Sequence, residues 1–196
     1  MGTYEVVARN FSEAHENKIH SDEIAQKYGF KGALVPGVAV WGHLTHPLAE
    51  RFGERWLGQS VSETRFFKPA YHGDRLIITT EENDDGLLVQ GHNQEGTLLA
   101  EIRTQLPEEM PPPEDQSVFD QPRRDAERVE MSWETVNENE PFPEWHFQAI
   151  TDENQRYASE IADELPLYQH VAHPHWLLSV ANQTLTREYE MPAWIH

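Results

Sequence analysis

The sequence predicts an α+β fold in which one long apolar helix packs against an antiparallel sheet. Apolar residues recur at spacings of three and four between Pro36 and Gly53, which is the pattern of a helix with one buried face. Pro47 lies inside this helix, where it can bend the axis. From residue 61 to residue 106 the period changes to two, which predicts four strands separated by turns. We place these strands at residues 61–67, 75–81, 87–92 and 97–106.

A short β-like segment at residues 3–7 and a polar loop at residues 10–20 open the chain. A short helix is predicted from Ser21 to Gly29, because serine is a favourable N-cap, acidic residues follow it and glycine ends helices. The first 106 residues therefore run as a strand, a short helix, the long helix and four strands.

The second part of the chain is predicted to be a smaller, related unit. It has a β-like start at residues 129–136 and an apolar helix from about Pro174 to Tyr189. Prolines among acidic side chains precede it and predict an extended linker. We therefore expect a first domain at residues 1–106, a linker at 107–126 and a partial second unit at 127–196.

Composition excludes several classes of function. Fifteen basic residues against 34 acidic ones give a net charge of −19, which repels nucleic acid and anionic membranes. No apolar run approaches the roughly 18 residues that a membrane span needs. The N-terminus lacks the pattern of a signal peptide, and the absence of cysteine excludes a disulfide framework. We therefore expect a cytoplasmic protein with no nucleic-acid or membrane partner.

Two segments of the chain share an order of features, which indicates a weak internal repeat. In the first, His15-Glu16-Asn17-Lys18-Ile19-His20 precedes a helix that begins after Val35-Pro36-Gly37. In the second, Asp163-Glu164-Leu165-Pro166-Leu167-Tyr168 precedes a helix that begins after Ala172-His173-Pro174.

The first of these segments resembles the signature of the MaoC-like, (R)-specific enoyl-CoA hydratase family. The matching residues are Asn17, Ile19, His20, Ala25, Gly29, Phe30 and Gly37. Residues 66–74, Phe-Phe-Lys-Pro-Ala-Tyr-His-Gly-Asp, resemble a second motif of the family. The resemblance implies a hot-dog fold, a long central helix wrapped by a curved antiparallel sheet, over residues 4–106. It is fainter over residues 127–196, which match a degenerate second copy of the tandem, double hot-dog type.

The chain departs from the family pattern at the positions that carry catalysis. The catalytic Asp of the family falls at His15, and the His before its glycine falls at Pro36. In the second copy Asp163 occupies the position of the catalytic Asp of the family, but Tyr168 occupies the position of the catalytic His. The second copy also has its helix but lacks most of its sheet, so either the chain is a fragment or a partner subunit completes the sheet.

The resemblance implies a hydratase or dehydratase that acts on an acyl thioester, as enoyl-CoA or 3-hydroxyacyl-CoA. His20 is then the acid/base and Gly37 the oxyanion donor, with His15 and Asn17 as supporting groups and no metal or other cofactor. Glu13, Glu16 and Asp22 are the carboxylates that could replace the missing Asp.

Other interpretations stay open. The chain could be a hot-dog thioesterase, or a non-catalytic acyl-binding or partner subunit, because His15 replaces the catalytic Asp. His20 could instead cap the short helix, and Gly37 could serve only the turn. In each case we expect a homodimer or hetero-oligomer formed through sheet edges.

Two further groups of side chains were considered as ligand sites. His43 and His46, and the cluster His170, His173 and His175, lack the spacing of a zinc motif, and we expect solvated or helix-capping histidines. An anionic CoA tail needs local positive charge, for which Arg65, Arg75 and Arg103 are candidates.

Overall fold

A computed structural model of the chain describes residues 2–12, 17–84, 86–110, 128–136, 142 and 147–191. Strands β1 to β7 are Gly2–Val7, Val61–Phe66, Arg75–Asn83, Gly86–His92, Leu98–Gln105, Val129–Glu130 and Tyr189–Glu190. Helices α1 to α5 are Asp22–Lys27, Gly37–Phe52, Glu54–Gln59, Thr151–Glu160 and Pro174–Glu188. Two turns of 3-10 helix lie at Lys18–His20 and Pro166–Gln169.

Five strands form one antiparallel sheet in the order β1-β3-β4-β5-β2. The turn between β4 and β5 is closed by Asn93, whose side-chain oxygen accepts the backbone N–H groups of Glu95 and Thr97. The remaining long connection carries the chain from β1 through α1, α2 and α3 before β2 joins the far edge beside β5. The four strands expected after the long helix are therefore confirmed.

Helix α2 lies against one face of this sheet and supplies the centre of the core. Its Leu44 and Leu48 are fully buried among alternate strand residues such as Ile78 and Val89. Gly91 on β4 makes room for the helix, since a Cβ atom there would lie 2.9 Å from Leu44 Cδ1. A long buried helix wrapped by five antiparallel strands is the hot-dog architecture, so the expected fold class is confirmed.

Helix α2 begins and ends close to the predicted residues. Pro36 is its N-cap, and Gly53, with a φ of +56°, ends it. The short helix α3, which was not predicted, follows directly and buries Trp56, whose Nε1 donates to Thr104 Oγ1 at 3.1 Å.

The described residues after 127 are mainly helical, with two strands, β6 and β7, of two residues each. Helix α5 packs on α2, at a point where a Cβ atom on Gly42 would lie 2.9 Å from His175 Cβ. The strand expected at residues 129–136 is wrong in extent: β6 covers only Val129–Glu130, and residues 133–135 form a turn because Ser132 and Thr135 bond to each other and to nearby backbone.

The predicted linker falls mostly on residues outside the described ranges, and the division of the chain at 106 and 127 stays a prediction. Across the described ranges, no helix has the length and apolar character needed to cross a membrane.

Candidate active site

His20 ends the 3-10 turn before α1, and its buried imidazole is held at both nitrogen atoms. Nδ1 lies 2.8 Å from the carbonyl oxygen of Leu34. A carbonyl oxygen only accepts, so a neutral His20 carries its proton on Nδ1 and a lone pair on Nε2. This is the tautomer that a general base needs at Nε2.

Asn17 both caps the 3-10 turn and faces His20. Its Oδ1 accepts the backbone N–H of Ile19 at 3.3 Å, which directs the side-chain amide nitrogen away from that bond. The amide nitrogen lies 3.5 Å from His20 Nε2. Asn17 therefore lies where it can orient the imidazole or a molecule bound beside it.

Two contacts that were not predicted fix the loops around His20. Asn10 donates from its side-chain amide to the carbonyl oxygen of His20 at 2.8 Å. Asp22, one of the carboxylates considered as a replacement for the missing Asp, accepts the backbone N–H of Ala33 at 2.7 Å. Asp22 therefore holds the loop that leads to α2. His15, Glu13 and Glu16 lie outside the described residues.

The N-terminus of α2 is exposed at Gly37. Pro36 provides no side-chain cap, and no acceptor in the described part of the chain bonds to the N–H of Gly37. The free N–H groups and the dipole of this 16-residue helix both favour negative charge at this end.

Chain geometry brings His20 and the start of α2 together. Leu34, which accepts from His20, precedes Gly37 by three residues, so their Cα atoms are at most about 11 Å apart. Leu34 also pairs with Tyr71 in an isolated antiparallel bridge, and the N–H of Val35 donates to Ala70 O at 2.9 Å. Segment 34–37 is therefore anchored to the β2–β3 loop.

A second polar cluster, centred on Asp163, lies buried between α2 and the second part of the chain. Oδ1 of Asp163 is 3.0 Å from His46 Nδ1, and Oδ2 is 3.2 Å from His173 Nε2. His173 Nδ1 accepts the N–H of His175 at 3.0 Å, so its Nε2 carries the proton that faces the carboxylate. Burial by itself raises the pKa of Asp163, but bonds from His173, His46 and the N–H of Leu165 outweigh it and lower that pKa below its usual range.

Two more histidines of this cluster are buried and neutral. Burial lowers the pKa of His43 to about 4 and that of His175 to about 3. The expectation of solvated side chains is therefore wrong for His43, His173 and His175, because the packing of α5 on α2 removes them from water. His173 does cap α5, as expected for a histidine at that place. No three potential ligands converge on a metal position within the described ranges.

Comparison with known proteins gives likenesses among solved structures. No family model and no curated protein matches the chain. The R-hydratase PhaJ1 from Pseudomonas aeruginosa is 16% identical, with a TM-score of 0.40, over 57% of this chain and 87% of that one. HtdX of Mycobacterium tuberculosis is 19% identical, with a TM-score of 0.43, over 53% of this chain and 46% of that one.

A 1,4-dihydroxy-2-naphthoyl-CoA thioesterase from Synechocystis is also similar, at 20% identity and a TM-score of 0.23, over 58% of this chain and 89% of that one. The architecture itself identifies the fold, because five antiparallel strands enclose one buried helix and β2 returns to the edge beside β5. The chain is therefore a hot-dog protein.

Proposed function

We propose that the chain is a hot-dog enzyme that acts on an acyl thioester, and that it hydrates an enoyl thioester or dehydrates the 3-hydroxyacyl product. One observation carries the proposal: His20, held in the tautomer with a lone pair on Nε2, lies one loop segment away from the uncapped N-terminus of α2. A base and a site for negative charge are the two groups that this reaction needs.

In the hydration direction, His20 Nε2 takes a proton from water while the water oxygen bonds to the β-carbon of the enoyl thioester. The electron pair of the double bond moves towards the thioester carbonyl, and the N–H of Gly37 stabilises the negative oxygen. The imidazolium of His20 then returns its proton to the α-carbon, which completes the addition of water. Dehydration is the same sequence in reverse.

The Leu34 carbonyl gives His20 a partner in the place of a carboxylate. It accepts from Nδ1 in the neutral ring and continues to accept when Nε2 gains a proton, so it stabilises the imidazolium through a dipole rather than a full charge. Asn17 keeps the ring oriented through its contact at Nε2. These two residues are the positioning groups that the proposal assigns to His20.

The test is turnover of a panel of enoyl-CoA thioesters, followed by enoyl absorbance and by free thiol. We expect loss of enoyl absorbance without free thiol, and a decrease in kcat of about 10²–10⁴-fold in His20→Ala. His170→Ala is the matched control, because His170 is an exposed histidine that contacts Glu54 rather than the site. Its activity should equal that of the wild type.

Other outcomes decide between the alternatives. Release of free thiol that depends on His20 would instead identify a thioesterase, since the same helix N-terminus can polarise a carbonyl for hydrolysis. A folded protein that consumes no enoyl thioester and releases no thiol would overturn the enzymatic proposal in favour of an acyl-binding or partner subunit.

We also propose that β2 is the edge through which the chain associates. It pairs with β5 on one side only, within the described residues, and exposes Val61 and Phe66. Antiparallel pairing of two copies around Thr64 would place Glu63 of each opposite Arg65 of the other. Analytical ultracentrifugation of the wild type and of Thr64→Pro, which lacks a backbone donor in this strand, tests the edge. We expect the wild type to associate and the variant to be monomeric. A wild type that is monomeric at micromolar concentration contradicts self-association.

A further inference from the structure

The lysines of this chain are unevenly distributed. In a chain of net charge −19 there are only four, Lys18, Lys27, Lys31 and Lys68, and all fall between residues 18 and 68. Three lie between Asn17 and Gly37, and Lys68 lies in the loop between β2 and β3 that anchors segment 34–37. All four lysines therefore belong to the segments that carry the candidate active site or anchor it.

The arginines that the sequence suggested for this role are occupied elsewhere. Arg65 forms an ion pair with Glu63 at 2.8 Å, Arg103 with Glu101 at 3.1 Å, and Arg75 with Glu5. Each guanidinium is thus compensated by a neighbouring carboxylate on the sheet. The role of these three arginines towards an anionic tail stays a prediction, and each would have to share its charge with a carboxylate.

The lysines beside the site are in a different situation. Lys31 Nζ lies 4.2 Å from the centre of the Tyr71 ring, and neither Lys31 nor Lys68 forms an ion pair with a described residue. Two of the carboxylates in these segments are turned to backbone groups: Asp22 accepts from Ala33, and Asp74 accepts from Tyr71 at 2.8 Å. Exposed ammonium groups without a carboxylate partner remain available to an anion.

His72 adds a third donor at the same place. Its Nδ1 accepts the backbone N–H of Asn10 at 3.1 Å, so Nε2 carries a proton, and the side chain is exposed. Lys68 and His72 lie in the loop that holds Tyr71 and are four residues apart, which limits the separation of their Cα atoms to about 14 Å. Lys31 therefore lies over the Tyr71 ring, and Lys68 and His72 belong to the same short loop as Tyr71.

This group is connected to the candidate active site through a short path. Tyr71 pairs with Leu34, and Leu34 accepts from His20 Nδ1. The loop that holds Tyr71 therefore lies directly beside the segment that carries the candidate active site. The rest of the acidic surface repels a polyanionic carrier, so binding requires local positive charge such as this.

We propose that Lys31, Lys68 and His72 form a subsite that binds a phosphate group of the thioester carrier. This inference rests on the proposed acyl-thioester function and adds the part of the substrate that these residues recognise. Lysine binds phosphate as a point charge, and the imidazole N–H donates a directed hydrogen bond to it. The subsite acts on binding of the carrier and leaves the chemistry at His20 unchanged.

The experiment compares crotonyl-CoA with crotonyl N-acetylcysteamine, a thioester that carries no phosphate. In the double variant Lys31→Gln/Lys68→Gln we expect KM for crotonyl-CoA to rise by about tenfold or more, with kcat unchanged. KM for the N-acetylcysteamine thioester should stay within about twofold of the wild type. An equal change for both substrates, or no change for either, overturns the subsite.

A control separates local recognition from net charge. Arg51→Gln also removes a positive charge, but Arg51 pairs with Glu82 near the other end of α2, about 21 Å from Gly37 at 1.5 Å per residue. We expect KM for crotonyl-CoA to be unchanged in this variant. Crotonyl-4′-phosphopantetheine distinguishes the two possible sources of the phosphate. If the subsite binds the pantetheine phosphate, the double variant raises KM for this substrate too. If the subsite binds a nucleotide phosphate, KM for this substrate is the same in the double variant and the wild type.

Failure of the proposed function can be told apart from failure of the subsite by direct binding. Titration of adenosine 3′,5′-bisphosphate and of crotonyl-4′-phosphopantetheine in a calorimeter needs no turnover. Binding of either probe by the wild type, with a loss of about tenfold or more in the double variant, supports the subsite even where no thioester is converted. Equal affinity of the wild type and the double variant for both probes contradicts it.

Discussion

Gly42 lies where α2 crosses α5, and its replacement by alanine tests how closely the two parts of the chain are packed. A Cβ atom at this position would lie 2.8 Å from Ile161 Cδ1 and 2.9 Å from His175 Cβ. The terminal methyl group of Ile161 can move by a change of rotamer. His175 Cβ is attached directly to the backbone of α5 and moves only with that helix, so we expect Gly42→Ala to push α5 away from α2.

The expected magnitude combines three effects. Alanine improves helix propensity over glycine by about 1 kcal/mol. Relief of contacts that are about 0.7 Å shorter than normal carbon–carbon separations costs about 1–3 kcal/mol in a packed interior. Asp163 is joined to His173, the N-cap of α5, so separation of the helices also lengthens the 3.0 Å contact between His46 and Asp163; weakening this contact with a buried carboxylate costs about 1–2 kcal/mol. The net result is a loss of about 2 kcal/mol in the free energy of unfolding.

Urea unfolding followed by tryptophan fluorescence measures this loss. Gly58→Ala is the matched control, because Gly58 is in helix α3 and no atom lies within 4 Å of the position of its Cβ. That variant should be as stable as the wild type or gain up to about 1 kcal/mol. A Gly42→Ala protein at least as stable as the wild type, with an unchanged m-value, would refute the close packing of α5 on α2.

The buried cluster at this crossing makes two further predictions. His43 and His175 have pKa values lowered by burial to about 4 and about 3, whereas the unfolded chain protonates histidine near 6.5. The stabilisation is therefore nearly complete at pH 7.5 and is lost as the pH falls from about 6.5 towards 4, by about 3 kcal/mol for His43 alone. The urea midpoint should change little between about pH 7.5 and 6.5 and decrease from there to about pH 5, and a constant midpoint over the whole range contradicts the buried neutral histidines. Asp163→Asn keeps the shape of the side chain but removes the charge that faces His46 and His173, and we expect a loss of about 3 kcal/mol, seen as a lower thermal midpoint. The exposed ion pair of Arg51 and Glu82 is the control. Glu82→Gln should change the free energy of unfolding by less than about 1 kcal/mol, and so should hardly move the thermal midpoint.

The helices and strands of the first 106 residues could be predicted because each depends on a pattern within one short stretch of chain. The spacing of apolar residues in α2 and the alternation in β3 and β4 reappear as buried faces in the structure. Helix α3 has six residues, too few to show a period, and it was missed. The strand expected at 129–136 shows the opposite error, since a β-like composition does not itself provide a partner strand.

The candidate site was predictable to the same extent. Asn17, His20 and Gly37 were proposed from their type and order along the chain. The structure links Asn17 to His20, and His20 to Leu34 three residues before Gly37, and their roles stay predictions. The acceptor for His20 could not be predicted, because it is a backbone carbonyl, that of Leu34, and any residue type could have supplied it. The role of Asn10 was hidden for the same reason, since its side chain bonds to the main chain of His20.

The sequence by itself therefore determined the long helix, the strands and the residue types that lie near the start of α2. Only the tertiary structure decided the tautomer of His20, the pairing of Asp163 with His46 and His173, and the ion pairs that hold Arg65, Arg75 and Arg103. The physical reason is how far apart in the sequence the interacting residues lie. Periodicity arises between neighbours within one element, whereas burial and hydrogen-bond partners depend on which remote segments pack together.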